Sequence, residues 1–176
     1  MFTLLAGLWK YLFQKDEYFI LILGLDNAGK TTYLEQTKTK FNKTYKGMNP
    51  NKITATVGLN LGKIDFGSVR LNFWDLGGQE ELQSLWDKVK KMISSEALNG
   101  VPLLLLANKQ DLQDCMPVSK VKEEFKDHAH KIGHRDCHIM GVSALQGDGV
   151  DEGIQWMVQC VKRNAFLRPP TQKDIT

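Results

Sequence analysis

Eight residues constrain this chain more than any others: Gly24-Leu25-Asp26-Asn27-Ala28-Gly29-Lys30-Thr31. They read G-x-x-x-x-G-K-[ST], the spacing of a phosphate-binding loop. Before them, Tyr18-Phe19-Ile20-Leu21-Ile22-Leu23 is a continuous apolar run that suits a buried parallel strand. After them, residues 31–40 contain few breakers and open a helix. A strand, a glycine loop and a helix N-terminus surround an anion with backbone N–H groups and the positive end of a helix dipole. In that arrangement Lys30 reaches the β- and γ-phosphates and the Thr31 hydroxyl binds Mg²⁺. The competing reading is a chance match in a glycine-bearing turn, and the flanking strand and helix weigh against it. Alone, the motif specifies a nucleoside triphosphate and neither a base nor a reaction.

Composition narrows the setting. A chain of 176 residues, 42% apolar and 24% charged, is expected to form one soluble globular domain with a core of its own. A net charge of +3 is too mild to argue for nucleic acid, and no nucleic-acid motif is present. Cys115, Cys137 and Cys160 are odd in number and lack C-x-x-C spacing, which favours reduced thiols in the cytosol over a disulfide framework. No apolar run reaches the length of a membrane span. Lys10, Lys15, Asp16 and Glu17 arrive without a cleavage pattern, so no secretory signal is expected.

Residues 2–13 carry Leu5, Leu8, Trp9 and Leu12 at the spacing of one helix face, with Phe2 and Phe13 beside them. Such a short amphipathic helix suits a membrane interface or a docked position on the domain, and the two are compatible. Phe2 stands where N-myristoylation requires Gly, and Lys173-Asp174-Ile175-Thr176 is no prenylation signal. Five lysines and no acidic residue fall in residues 38–52, with Asn42, Gly47, Asn49, Pro50 and Asn51 as breakers: a polar, solvated loop. Val57, Leu59 and Leu61 then alternate, and Ile64 and Phe66 continue on the opposite phase, which predicts a bulge at Gly62-Lys63. Gly67-Ser68 turns the chain into Val69, Leu71 and Phe73, completing a hairpin that ends at Trp74-Asp75-Leu76-Gly77-Gly78-Gln79.

A helical stretch is expected over residues 80–98, stopped by Asn99-Gly100. A buried strand over 101–107 then runs into Asn108-Lys109-Gln110-Asp111. Pro117 starts another helix, with Val118, Val121, Phe125, Ala129 and Ile132 as its apolar face. A last strand over 137–142 leads to Ser143-Ala144-Leu145, and a last helix shows Val150, Ile154, Met157 and Val161 on one side. His128, His130, His134 and His138 lack partners at ligand spacing, so a metal site built on them is disfavoured.

Three motifs therefore stand in order: residues 24–31, Asp75-Leu76-Gly77-Gly78-Gln79, and Asn108-Lys109-Gln110-Asp111. Their wording resembles the ADP-ribosylation factor (Arf) family of small GTPases. The lysine-rich loop and the Phe2 start are most similar to its Golgi-associated ADP-ribosylation factor-related branch. The resemblance implies an α/β, three-layer P-loop G domain, its mostly parallel sheet carrying one antiparallel edge strand. It divides the chain into an N-terminal amphipathic helix (1–16), a G domain (17–166) and a C-terminal tail (167–176). It also implies the site. Gly24, Asp26, Asn27, Ala28, Gly29, Lys30, Thr31 and Thr32 hold the phosphates, with Gly78 at the γ-phosphate. Asn108, Lys109, Asp111, Ser143 and Ala144 hold the base. Thr31, Thr56 and Asp75 hold Mg²⁺, and Gln79 orients the attacking water.

The chemistry behind these roles can be stated. An Asp111 carboxylate accepts hydrogen bonds from guanine N1–H and its exocyclic amine, a donor pair that adenine lacks. The Lys109 stem covers the base, Asn108 braces the loop, and the Ala144 N–H meets the guanine carbonyl. Together these disfavour a P-loop ATPase. The first arginine, Arg70, lies beyond Thr56, so no internal arginine finger is expected near the first switch. An activating protein that supplies one in trans is implied, and so is an exchange factor. The resemblance further implies a GTP/GDP switch with slow hydrolysis, working in the cytosol and on the cytosolic face of Golgi and trans-Golgi membranes. There it would recruit tethers or coat effectors, and would reach the membrane through its N-terminal helix or a receptor protein. The effector surface maps to Leu59, Trp74 and Val89, the last a position usually occupied by tyrosine.

One interval departs from the pattern. Only thirty-three positions lead from Asp75 to Asn108, where the family places a helix, a strand and a second helix. At about 5–6 residues per strand and 11–12 per helix, a whole β–α unit is missing between residues 80 and 100. Five strands are expected instead of six, with the 18–23 and 102–107 strands pairing directly across one crossover helix. The competing function is a non-cycling, hydrolysis-deficient binding variant with an incomplete G domain.

Overall fold

The apolar run ahead of the glycine loop becomes strand β1, Asp16–Ile22, in a computed structural model that describes residues 14–78, 87–89, 91–92, 94–126 and 132–170. β1 pairs in parallel with β3, Val69–Leu76, from Asp16 opposite Val69 to Ile22 opposite Asp75. β3 pairs antiparallel with the edge strand β2, Leu59–Phe66, giving a three-stranded sheet in the order β1-β3-β2. A separate parallel pair joins β4, Leu103–Ala107, to β5, Cys137–Gly141. The sheets are accompanied by helices α1, Lys30–Phe41; α2, Val118–Lys126; and α3, Val150–Arg163. The helix expected over residues 80–98 falls largely outside the described residues. Its described part is helical at 87–89 and 91–92 and ends in a 3₁₀ turn, Glu96–Leu98.

The expected direct pairing of β1 with β4 is not formed among the described residues: the sheet is split into three strands and two. Packing gives a reason. α1 and α3 each bridge two separate cores. One core joins Leu34, Ile154, Val158 and Val161 to Ile64, Val69, Leu71 and Phe73 of the three-stranded sheet. The other joins Tyr33 and Val150 to Val142, Ala144, Leu106 and Met140 of the β4–β5 side. Closing the place of one lost strand would move one half-sheet by about 5 Å, the spacing between neighbouring strands. Both helices would then lose their fit to one half.

One face of the three-stranded sheet is exposed among the described residues. A strand in a parallel sheet is ordinarily covered on both sides. Here Tyr18, Ile20 and Ile22 pack on the core, whereas Phe19 and Leu21 are 54% and 42% exposed. The register sets Leu21, Trp74 and Leu61 side by side, and the rings of Phe19 and Trp74 meet edge to face at 5.5 Å.

No bulge forms at Gly62-Lys63: β2 pairs with β3 without interruption from Leu59 to Phe66. The change of phase instead moves the apolar residues from one face of the strand to the other. Leu59 and Leu61 lie on the uncovered face, and Ile64 and Phe66 on the core face. Gly62, at the change-over, faces α1 so closely that a Cβ there would stand 2.5 Å from Cδ1 of the fully buried Leu34. Gly62→Ala is therefore expected to destabilise the fold by about 1–3 kcal/mol, the usual range for overpacking, read as a lower urea midpoint.

At the far end of the hairpin, the Arg70 guanidinium donates to both oxygens of Asp65, at 2.7 and 3.1 Å, and Lys15 adds an ion pair at 2.7 Å. The Arg70 hydrogen bonds lead in holding the Asp65 carboxyl down to about 2, against an ordinary value near 4. A carboxylate depressed on folding adds stability that is fully present above its unfolded pKa and is lost as pH falls toward its folded one. Asp65→Asn should accordingly flatten the acid limb of stability between about pH 4 and pH 2, measured by denaturant unfolding across that window.

Candidate functional site

The glycine loop links the C-terminal end of β1 to the first turn of α1. Left-handed backbone at Asn27 (φ 54°) and at the helix-capping Gly29 (φ 83°) gives the loop the form of a nest of backbone N–H groups. Lys30 lies across it, its Nζ donating to the carbonyls of Gly24 and Leu25 at 3.3 and 2.9 Å. Burial lowers the Lys30 pKa, and the nearby Asp75 and Asp26 charges oppose that shift. A partly desolvated ammonium lying across a left-handed glycine loop suits a polyanion. Thr32 follows, half-buried on the first turn of α1.

Three oxygens from three parts of the chain meet beside this loop. Asp75, fully buried near the end of β3, accepts the Thr31 hydroxyl on Oδ2 at 2.7 Å. Thr31 Oγ1 is also 2.7 Å from Thr56 Oγ1. A hydroxyl has one hydrogen, so with Thr31 donating to Asp75, Thr56 must donate to Thr31. Asp75 Oδ1 is buried with no hydrogen-bond partner among the described residues. Buried carboxylate oxygens rarely stay unpaired. Two hydroxyls and a carboxylate are the hard donors that Mg²⁺ takes, either directly or through its water. The described residues thus fit the metal that the sequence implied.

Gly78 reaches the loop from the other side, where a Cβ would collide with the backbone of Asp26. The Gly77 N–H donates to Gly58 O at 3.2 Å, fastening this segment to the one after Thr56. Arg70, hydrogen-bonded to Asp65 and Glu17, sits at the opposite end of β3 from Asp75.

The second half of the site comes from the β4–β5 sheet. Asn108, just past β4, donates from Nδ2 to Ala28 O at 2.8 Å and accepts the Ala144 N–H on Oδ1 at 2.9 Å. One amide so ties the glycine loop to both loops of the second sheet. The Ala144 N–H, expected to meet a guanine carbonyl, is the one that donates to Asn108. Ser143 Oγ donates to Asp111 Oδ1 at 2.6 Å and accepts the Gln146 N–H, fixing an exposed carboxylate in place. Lys109 adopts positive φ (65°) between them.

The other expected residues are placed less completely. Gln79 lies outside the described residues. Leu59 and Trp74 are exposed on the uncovered sheet face, and Val89 is half-buried in the helical stretch 87–89. Glu35, on the second turn of α1, carries no motif and lies outside the expected site, yet it is buried.

The fold and its loops define a P-loop α/β domain of the small-GTPase type. The chain belongs to the ADP-ribosylation factor family, whose profile matches residues 5–89 and 87–161. It is 58% identical to ADP-ribosylation factor-related protein 1 of Bos taurus and of Mus musculus, over all of this chain and all of theirs. It is 40% identical to ADP-ribosylation factor-like protein 3 of Saccharomyces cerevisiae, over 98% of this chain and 100% of that one. Among solved structures it resembles the Arl6 BBS3 small GTPase of Trypanosoma brucei, bound to a nucleotide analogue. That match has TM-score 0.65 and 24% identity, covering 84% of this chain and 98% of the other. An alignment of 202 positions onto 176 residues leaves at least 26 positions of the mammalian relatives without a counterpart here. The two profile matches meet at residues 87–89, inside the shortened interval.

Asn108→Ala leaves the Ala28 carbonyl and the Ala144 N–H without their partner. It is expected to cost about 1–3 kcal/mol, seen as a lower melting temperature of the nucleotide-free protein.

Proposed function

We propose that this chain is a guanine-nucleotide switch that hydrolyses GTP slowly and acts in Golgi membrane traffic. The observation that carries the reading is the meeting of Thr31, Thr56 and Asp75 beside an unpaired buried carboxylate oxygen. It brings a threonine from the segment after α1 to the same point as the P-loop threonine. A Mg²⁺ held there, with GTP, would supply charge neutralisation of the β- and γ-phosphates. This chain's own groups supply the rest. The loop N–H groups and Lys30 bind phosphate. Asp111, fixed by Ser143, selects guanine. Thr56 closes over the metal, and Gln79 orients water. With Arg70 committed to Asp65 and Glu17 away from the loop, the arginine for fast hydrolysis comes from an activating protein. Exchange by a second protein and membrane attachment through the 1–16 helix or a receptor complete the cycle. Tethers or coat proteins at the cytosolic face of the Golgi would read the Leu59, Trp74 and Val89 surface.

The split sheet favours a second reading, a non-cycling binding form. One set of measurements separates the two. Purified chain with Mg²⁺ is expected to bind GDP and GTP and to ignore ATP in fluorescent-nucleotide titrations. Thr31→Asn should weaken GTP more than GDP. Protein that holds no nucleotide would sink the switch. Protein that binds GTP yet gains no hydrolysis from any Arf-type activating protein would establish the non-cycling form.

A further inference from the structure

Glu35 is a buried acid on a helix surface, 5% exposed, and it is not left unpaired. It forms an ion pair with Lys38 one turn on. The Tyr45 hydroxyl donates to its Oε2 at 2.5 Å, and the Met48 N–H approaches the same oxygen at 3.4 Å. The Lys38 ammonium lies 4.7 Å from the centre of the Tyr45 ring. Gly47 packs against the same helix, where a Cβ would stand 2.5 Å from Thr39 Oγ1. Residues 45–48 of the lysine-rich loop are thus fastened to α1 at Glu35, Lys38 and Thr39. Thr31 precedes Glu35 by four positions and so shares its helix face. The chain leaves α1 at Phe41, returns to the helix at Glu35, and runs back along it until Thr56 meets Thr31.

We propose that Glu35, Lys38 and Tyr45 form a clamp that sets the reach of the segment carrying Thr56, and so the preference of the site for a nucleoside triphosphate over a diphosphate. The inference rests on the switch reading above, in which Thr56 closes over the metal in the triphosphate state. Its physical basis is loop closure. Without the clamp, residues 42–55 span freely from α1 to Thr56; with it, the span is 49–55. Halving a free loop favours its closure by about threefold. The remaining span is further restrained by the 3₁₀ turn Pro50–Lys52, whose preceding Asn49 side chain accepts the Asn51 N–H at 3.0 Å. Burial acts to raise the Glu35 pKa, but its bonds to Lys38 and Tyr45 outweigh it and keep the carboxylate ionised. Glu35, Lys38 and Tyr45 are positioning residues: they act through Thr56.

The test uses the full chain with Mg²⁺ and compares a non-hydrolysable GTP analogue with GDP. Glu35→Gln and Gly47→Val attack the clamp from opposite sides, one through its charge and one through its packing. Each is expected to weaken the triphosphate analogue by about threefold and leave GDP unchanged. Tyr45→Phe keeps the ring under Lys38 and loses only the hydroxyl, so a smaller shift of the same sign is expected. Equal loss of both nucleotides, or no change in either, would overturn the clamp. Should the wild-type chain bind neither nucleotide, the switch reading fails by itself. Hydrogen exchange then decides the clamp: protection lost in Tyr45→Phe from residue 45 through Thr56 supports it, and loss confined to 45–48 overturns it.

Discussion

Tyr33 and Leu34 are neighbours on one helix, yet their side chains belong to different cores. Everything else in this fold depends on that divided packing. Tyr33 sits against Val142, Ala144 and Val150, and Leu34 against Ile64, Leu71 and Phe73. α3 repeats the arrangement, with Val150 on one side and Ile154, Val158 and Val161 on the other. In an unbroken sheet, backbone hydrogen bonds would carry the connection between the halves. Among the described residues, α1 and α3 carry it, along with the amide of Asn108. The Tyr33 hydroxyl reflects the tightness of this joint. It is buried without a hydrogen-bond partner among the described residues, and a Cβ on Gly153 would come within 2.8 Å of it. Burial drives its pKa well above the ordinary tyrosine value.

The same helix is also the axis of the candidate site. Its first turn carries Lys30 and Thr31, and its second carries Glu35. The segment carrying Thr56 is held to the helix that carries Lys30 and Thr31, so the candidate site is built along one rigid body. Rigid support is what such constellations need, because a threonine displaced by about 1 Å no longer reaches its metal. The three-stranded sheet contributes Asp75, and the β4–β5 sheet contributes Asn108, Asp111 and Ser143.

Much of this was legible in the residues. Continuous apolar runs located β1 and β4, the loop motif located the start of α1, and Gly67-Ser68 located the hairpin turn. The order of three motifs specified which loops would converge. Local pattern failed where the outcome depended on partners distant in sequence. The phase change in β2 looked like an inserted residue, because alternation alone does not say that both faces of a strand can carry apolar groups at different ends. The open seam between β1 and β4 is hidden in the sequence for a similar reason: apolar runs mark strands that can pair, but not the fit of α1 and α3 to both halves. Glu35 was invisible because burial of a helix acid comes from the loop that folds over it. Gln79 and most of the helix expected over residues 1–16 fall outside the described residues, and Asp16 begins β1.

The seam between the two sheets has a consequence for how the folded state is held. A guanine nucleotide in the proposed site would touch the glycine loop on one side and the Asn108–Asp111 loop on the other. Its binding energy would then act as adhesion between half-sheets that share no backbone hydrogen bonds among the described residues. Anything that binds only the folded state stabilises it by RT ln(1 + [L]/Kd). In that case the ligand would stand in part for the missing strand, and the folded fraction would follow the cellular nucleotide pool by mass action.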